Sequence, residues 1–162
     1  MIRARAVLFV CHANTARSVM AQLLLDRMLG ARGAGDRVTV RSAGVAPWAR
    51  DGMIASLDAR LALKEDGLLV AEDAVVSTAL RAHPELIAGA DLIVTMTVDQ
   101  KRIVAELAPA AVSPLLTLRE LAGEAGDIGD PAGQGEDTFR ACRDEIKRCL
   151  EKSIDRVLGV TG

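Results

Sequence analysis

VLFVCHANTARSVMAQLLLDRML, Val7–Leu29, sets a cysteine at the end of an apolar run and an arginine where a helical pattern begins. Ala6–Val10 is short, continuous and apolar, the composition of a strand buried on both faces of a parallel sheet. From Ser18 to Leu29, Val19, Leu23, Leu24 and Met28 recur at helical spacing, and the glycine-rich Gly30–Gly35 region ends the run. The residues between, Cys11 to Ser18, therefore form the first strand-to-helix loop.

The alternation continues down the chain. A second strand fits Val38–Ser42, and a helix fits Met53–Leu63. Val70–Val76 is compatible with either a strand or irregular backbone. His83, Pro84 and Glu85 read as a helix start, with His83 at the N-cap, Pro84 at the first helical position and Glu85 facing the positive end of the dipole; that helix ends by Gly89. Asp91–Met96 is a further buried strand, Thr97 caps a helix over Val98–Leu107, and Val112–Leu116, interrupted by Pro114, fits an edge strand. A Gly- and Asp-rich segment, Glu124–Gly135, precedes a terminal helix over Thr138–Leu158. This order predicts a single three-layer α/β domain over residues 1–162. Its four-stranded parallel sheet carries helices on both faces, joined by right-handed crossovers.

Composition narrows the partners. The 162 residues are 50% apolar and 26% charged with a formal net charge of −2, which offers no general attraction for nucleic acid, so any anion site must be local. No apolar stretch approaches the roughly 18 to 20 residues that cross a bilayer. Cys11, Cys142 and Cys149 are odd in number and no signal-peptide pattern opens the chain, so reduced thiols and a cytoplasmic location are expected.

In open α/β sheets, ligands bind beyond the carboxyl ends of the strands, and the first strand-to-helix loop is the usual phosphate cradle. Here that loop contains no glycine. Its backbone amides can converge on an anion while the helix near Arg17 adds its positive end. The same groups favour a thiolate over a thiol, which makes Cys11 a candidate nucleophile. Arg17 offers a planar fork for two phosphoryl oxygens, Ser18 can hydrogen-bond the sulfur, and Asn14 tolerates the left-handed backbone of a tight loop. Cys11 is also compatible with a plain core cysteine at a strand end. A candidate acid for the leaving group is Asp130, in Gly129-Asp130-Pro131, where Pro131 stiffens the backbone; an ordinary turn fits the same residues.

With these residues in place, the chain resembles the low-molecular-weight protein tyrosine phosphatase family along almost its whole length. Cys-x5-Arg-Ser within the first twenty residues, Ser42-Ala43-Gly44 after the second strand and the late Asp130-Pro131 occur in the family's order and approximate spacing. The resemblance implies a phosphocysteine intermediate on Cys11. Arg17 and the loop His12, Ala13, Asn14, Thr15, Ala16 and Ser18 would hold the phosphoryl group. Asp130 would act as general acid and then base, and no metal or cofactor takes part. It also implies that Asn14, Ser18 and Ser42 form the network that fixes the loop. His12, at a variable position of the motif, and His83, at a helix cap, take structural readings.

Three departures bear on substrate and redox control. Ala16 stands where many members carry a second loop cysteine, so the protective disulfide with the nucleophile is unavailable. Ala132 and Gly133 follow Asp130-Pro131, where tyrosine-directed members usually place aromatics. Thr15 resembles the bacterial protein arginine phosphatases of this family rather than its tyrosine-directed members, so a phosphoarginine protein substrate is favoured, with phosphotyrosine next. Trp48 is placed to line the pocket rim.

Two alternatives belong to other classes. Thiol-coupled arsenate reductases share a loop of this kind but relay a disulfide through two further cysteines in mid-chain. Cys142 and Cys149 instead sit about two turns apart on the terminal helix. A non-catalytic phosphate-binding module would use the loop without Cys11 and Asp130.

Overall fold

The structure, a computed structural model, describes residues 2–160. Its centre is a four-stranded, all-parallel sheet of β1 (Ala6–Cys11), β2 (Thr39–Gly44), β3 (Leu92–Thr95) and β4 (Leu115–Thr117), in the order β2-β1-β3-β4. Strand side chains alternate between faces, so β1 feeds two cores at once. Val7, Phe9 and Cys11 pack with α1 (Arg17–Ala31), α2 (Leu57–Glu65), α5 (Leu118–Leu121) and α6 (Glu136–Leu158). Leu8 and Val10 pack with Ile87 of α3 (Glu85–Ala88), Val104 of α4 (Val98–Leu107) and Leu80, which opens a short 3₁₀ turn. The α/β architecture with a parallel sheet sandwiched by helices is as the sequence pattern predicts.

β1 is the central strand that the apolar run anticipates, and it is longer by one residue, so Cys11 itself pairs with Gly44 of β2. The nucleophile candidate thus sits on the last rung of the sheet rather than in mobile loop backbone. α6 buries Phe139, Cys142, Ile146, Cys149, Leu150, Ile154 and Val157, one face at helical spacing, against α1 and α2. Gly159, at φ 71°, ends it in the left-handed conformation that glycine adopts freely.

Several elements differ from the sequence expectation. The helix expected over Met53–Leu63 starts at Leu57, because the Ser56 hydroxyl accepts the Ala59 amide as an N-cap; Ile54 is instead bridged to Val76 in an isolated antiparallel pair. His83 does not cap α3. Pro84 occupies that position and the His83 ring reaches Asp51 and Glu85 instead. β4 lies at Leu115–Thr117, shifted past Pro114, and is an edge strand as expected. α5 has no counterpart in the expected elements; its single turn depends on a capping box between Thr117 and Glu120. α4 carries the same device between Thr97 and Gln100, where the sequence placed its cap. Among the described residues, no helix is long and apolar enough to cross a membrane.

Candidate active site

β1 delivers Cys11 to the carboxyl edge of the sheet, and the continuation of β2 grips the loop that follows. The Val45 amide donates to the Cys11 carbonyl at 2.9 Å and the Ala46 amide to the His12 carbonyl at 3.0 Å. Further on, the Ser56 amide donates to the Thr15 carbonyl at 2.9 Å. The loop carbonyls are therefore turned outward to neighbours. Among the described residues, no amide from His12 to Ala16 donates to a backbone carbonyl, and α1 begins after Ala16 with no side-chain cap. Such a ring of amides at a helix N-terminus suits a tetrahedral anion.

The tight turn needs two special residues. Asn14 has φ 64°, and its fully buried side chain works in both directions: Nδ2 donates to Ser18 Oγ at 2.8 Å, while Oδ1 accepts the Thr78 amide at 2.9 Å. Gly44 runs directly beneath the loop, so close that a Cβ there would stand 2.6 Å from the His12 carbonyl oxygen and 2.8 Å from the Ala13 carbonyl carbon. Neither contact allows a side chain.

Ser18 Oγ lies 2.9 Å from Cys11 Sγ. Because Asn14 already donates to that oxygen, the hydroxyl hydrogen is left to point at sulfur, the arrangement that stabilises a thiolate. Arg17 is 3% exposed; its Nη1 donates to the Ile128 carbonyl at 2.8 Å and its Nη2 lies 3.8 Å from Asp130 Oδ2. The Asp130 loop hangs from the sheet, since the Ile128 amide donates to the Met96 carbonyl, just past β3, at 2.8 Å. Asp130 Oδ1 accepts the Ala132 amide at 3.0 Å, which leaves Oδ2 toward Arg17; the side chain is 56% exposed. A thiol, a guanidinium and a carboxyl drawn from opposite ends of the chain thus converge on one cup.

Not every expected site residue joins it. The Ser42 hydroxyl donates to Gln22 Oε1 of α1 at 2.6 Å, not to the loop. Gln22 of α1 takes the Ser42 hydroxyl, while the Asn14 side chain bonds Ser18 and the Thr78 backbone amide. His12, Ala13, Thr15 and Ala16 are half-buried along the loop. Trp48 is 65% exposed in the turn after β2 that Ala46 ties to His12. The contributions of Thr78, Ile128 and Gly44 went unforeseen, since two act through backbone groups and the third by having no side chain.

The other cysteines are poor redox partners. Cys142 lies below the Asp130 loop, 3.9 Å from the Gly129 carbonyl, and burial pushes its thiol up to about 12. Burial also raises Cys149. Glu124, Glu145 and Cys149 come within metal-binding reach of one another, but Arg119, Arg148 and Lys152 already neutralise both carboxylates.

The chain is similar to known phosphatases along most of its length. Over 154 residues, 93% of this chain and 95% of the relative, the sequence is 36% identical to a protein-arginine-phosphatase of Geobacillus stearothermophilus. It is 30% identical to the low molecular weight protein-tyrosine-phosphatase PtpB of Staphylococcus haemolyticus, over 90% of this chain and 95% of that one. Among solved structures, a Cys-to-Ser mutant of the YwlE arginine phosphatase with a phosphorylated active-site serine superposes with a TM-score of 0.84 at 33% identity, covering 94% of this chain and 95% of that one. Residues 6–158 match the profile described as low molecular weight phosphotyrosine protein phosphatase, and with the cup of Cys11, Arg17 and Asp130 in view, the chain belongs to that family.

Proposed function

We propose that this protein is a protein phosphatase that works through a phosphocysteine on Cys11, with phosphoarginine side chains as its preferred substrate. The observation that carries the reading is the convergence of Ser18 and Arg17 on the Cys11 cup, with Asp130 Oδ2 3.8 Å from Arg17. In the first step the Cys11 thiolate attacks phosphorus while the bond to the substrate nitrogen or oxygen breaks. The Asp130 carboxyl gives its proton to the leaving group. Arg17 and the loop amides carry the charge on the three equatorial oxygens throughout. In the second step Asp130, now a carboxylate, takes a proton from water. That water attacks the phosphocysteine and frees Cys11, with inorganic phosphate as product.

Phosphoarginine is favoured on two grounds. Thr15 puts a hydroxyl on the loop where an aliphatic side chain would suit a phenyl ring, and the exposed Asp130 carboxyl can hydrogen-bond a guanidinium leaving group. The relative at 36% identity, named a protein-arginine-phosphatase, supports the same choice. Trp48 supplies the exposed apolar surface at the rim that Ala132 and Gly133 do not.

The test compares phosphoarginine and phosphotyrosine peptides under identical conditions with wild type and Thr15→Ile. Wild type should turn over phosphoarginine faster, and Thr15→Ile should shift preference toward phosphotyrosine. A wild-type preference for phosphotyrosine would overturn the arginine assignment. Cys11→Ser should abolish hydrolysis of an aryl phosphate while retaining phosphate binding, and undiminished turnover would sink the covalent mechanism.

A further inference from the structure

Behind the phosphate loop, two consecutive amides join two hydrogen-bond systems. The Thr78 amide holds Asn14 Oδ1 at 2.9 Å, and the next amide, of Ala79, donates to Asp51 Oδ1 at 2.8 Å. The second oxygen of Asp51 lies 2.7 Å from His83 Nε2, and His83 Nδ1 lies 3.2 Å from Glu85 Oε1. A ring nitrogen can serve a carboxylate only as a donor, so satisfying both acids at once requires imidazolium. The turn bearing Asp51 is further zipped to the 77–79 segment. Ser77 Oγ accepts the Met53 amide at 2.9 Å and the Ser77 carbonyl accepts the Gly52 amide at 2.9 Å.

We infer that His83 and Asp51 are positioning residues for the phosphate loop: their clasp fixes the Thr78–Ala79 amides, and through Asn14 and Ser18 fixes the presentation of the Cys11 sulfur. The chain of contacts is continuous, from His83 to Asp51, Ala79, Thr78, Asn14, Ser18 and Cys11. Every side-chain link in it is 2.9 Å or shorter. Its far end opens on a groove of about 620 Å³ shared with Arg41, which gives the ring access to solvent protons. The inference rests on Cys11 being the nucleophile.

The charges around His83 set the sign of its response. Asp51 faces it from the 50–53 turn and Glu85 from α3, and Arg41 of β2 lines the same groove. Arg81, on the adjoining 3₁₀ turn, is engaged by the Val45 carbonyl at 2.9 Å. Hydrogen bonds to Asp51 and then Glu85 raise His83 above the usual imidazole range, while the Ala79 amide and then His83 lower Asp51. A neutral ring keeps one N–H, which can still serve Asp51 from Nε2, so rising pH releases the Glu85 contact and takes the charge out of the Asp51 bond.

The experiment follows the rate of Cys11 alkylation by iodoacetamide from pH 6 to 9 in wild type, His83→Ala, His83→Gln and Asp51→Asn. The ratio of wild-type to His83→Ala rates should be about two- to fivefold at the acid end, the scale of a partly exposed ion pair, and should fall at the alkaline end to the smaller ratio that a neutral donor at this position supports. His83→Gln, with a neutral donor, should restore part of the rate and show no pH-dependent step. In an Asn14→Ala background His83→Ala should have no further effect. A ratio of one throughout, a ratio independent of pH, or additivity with Asn14→Ala would each overturn the inference. Alkylation reads the sulfur whether or not it turns over phosphate, so failure here is distinct from retained turnover in Cys11→Ser.

Discussion

Arg17 Nη1 donates to the carbonyl of Ile128, 111 residues away in sequence, at 2.8 Å. One guanidinium is thus both a wall of the anion cup and the tether of the loop that carries Asp130. On the roles proposed above, this couples phosphoryl recognition and leaving-group protonation through a single side chain, and the tether leaves Nη2 on the side of Asp130.

Arg17→Lys tests that coupling. Lysine keeps the charge but has no fork, so it cannot hold the Ile128 carbonyl and two phosphoryl oxygens together. Turnover should fall by about 10²- to 10³-fold, the scale for losing a preorganised transition-state donor. Thermal stability should fall only by the scale of one hydrogen bond, about 1 kcal/mol. Steady-state kinetics on an aryl phosphate, paired with thermal melts, separates the two. A loss confined to KM with unchanged kcat would show that Arg17 binds ground state and transition state alike.

Gly44 offers a steric test of the cup. An alanine Cβ would press on the backbone of His12 and Ala13, not on a flexible side chain, so the loop itself must move. Gly44→Ala should cost about 1–3 kcal/mol of stability, the usual range for overpacking. It should also lose competitive inhibition by inorganic phosphate. Phosphate inhibition matching wild type would show that the loop absorbs the clash without changing shape.

These sites show why the sequence was readable in some places and not in others. β1, α1, β3 and α4 carry strong local signals: unbroken apolar runs, helical spacing and, at Thr97, a cap whose partner Gln100 lies three residues on. Cys11, Arg17 and Asp130 stand out as candidates in the sequence because the chemistry proposed for them belongs to the side chain itself. α5 was missed because one turn is too short for a period. Met53 and Ile54 extend the apolar pattern of α2 upstream of the Ser56 cap, so the pattern alone overruns the helix start. The Thr78 amide and Ile128 carbonyl leave no trace in residue identity, and Ser42 bonds Gln22 of α1 rather than the loop.

The cysteines should differ sharply in reactivity. Cys142, raised to about 12 by burial, and the buried Cys149 should resist alkylation in the native protein, so a native thiol titration at neutral pH should label Cys11 alone. With Ala16 in the loop, peroxide inactivation should be poorly reversed by dithiothreitol, since no adjacent thiol traps the sulfenic acid. Full recovery, with a Cys11–Cys142 crosslink found by mass spectrometry, would show that the Asp130 loop can swing aside.

The charge cluster that pins α6 makes the last prediction, on pH and stability. Glu124 Oε2 accepts Arg148 at 2.7 Å and Lys152 at 2.9 Å, and Arg119 bridges Glu124 at 3.2 Å and Glu145 at 2.7 Å. Arg148 and then Lys152 hold the Glu124 carboxyl far below the ordinary range; Arg148 lowers Glu145 as well. A carboxylate lowered by folding stabilises the native state fully above its unfolded value and gives that stability up as pH falls through the folded one. Wild type should therefore lose urea resistance progressively below about pH 5, and Glu124→Gln should be less stable at pH 7, with the gap narrowing as the pH is lowered to 3. Because the cluster is only half-buried and solvent reaches it, 1 M salt should shrink the gap at pH 7. Urea midpoints that differ equally at pH 7 and pH 3 would mean that Glu124 acts through packing and not through its charge.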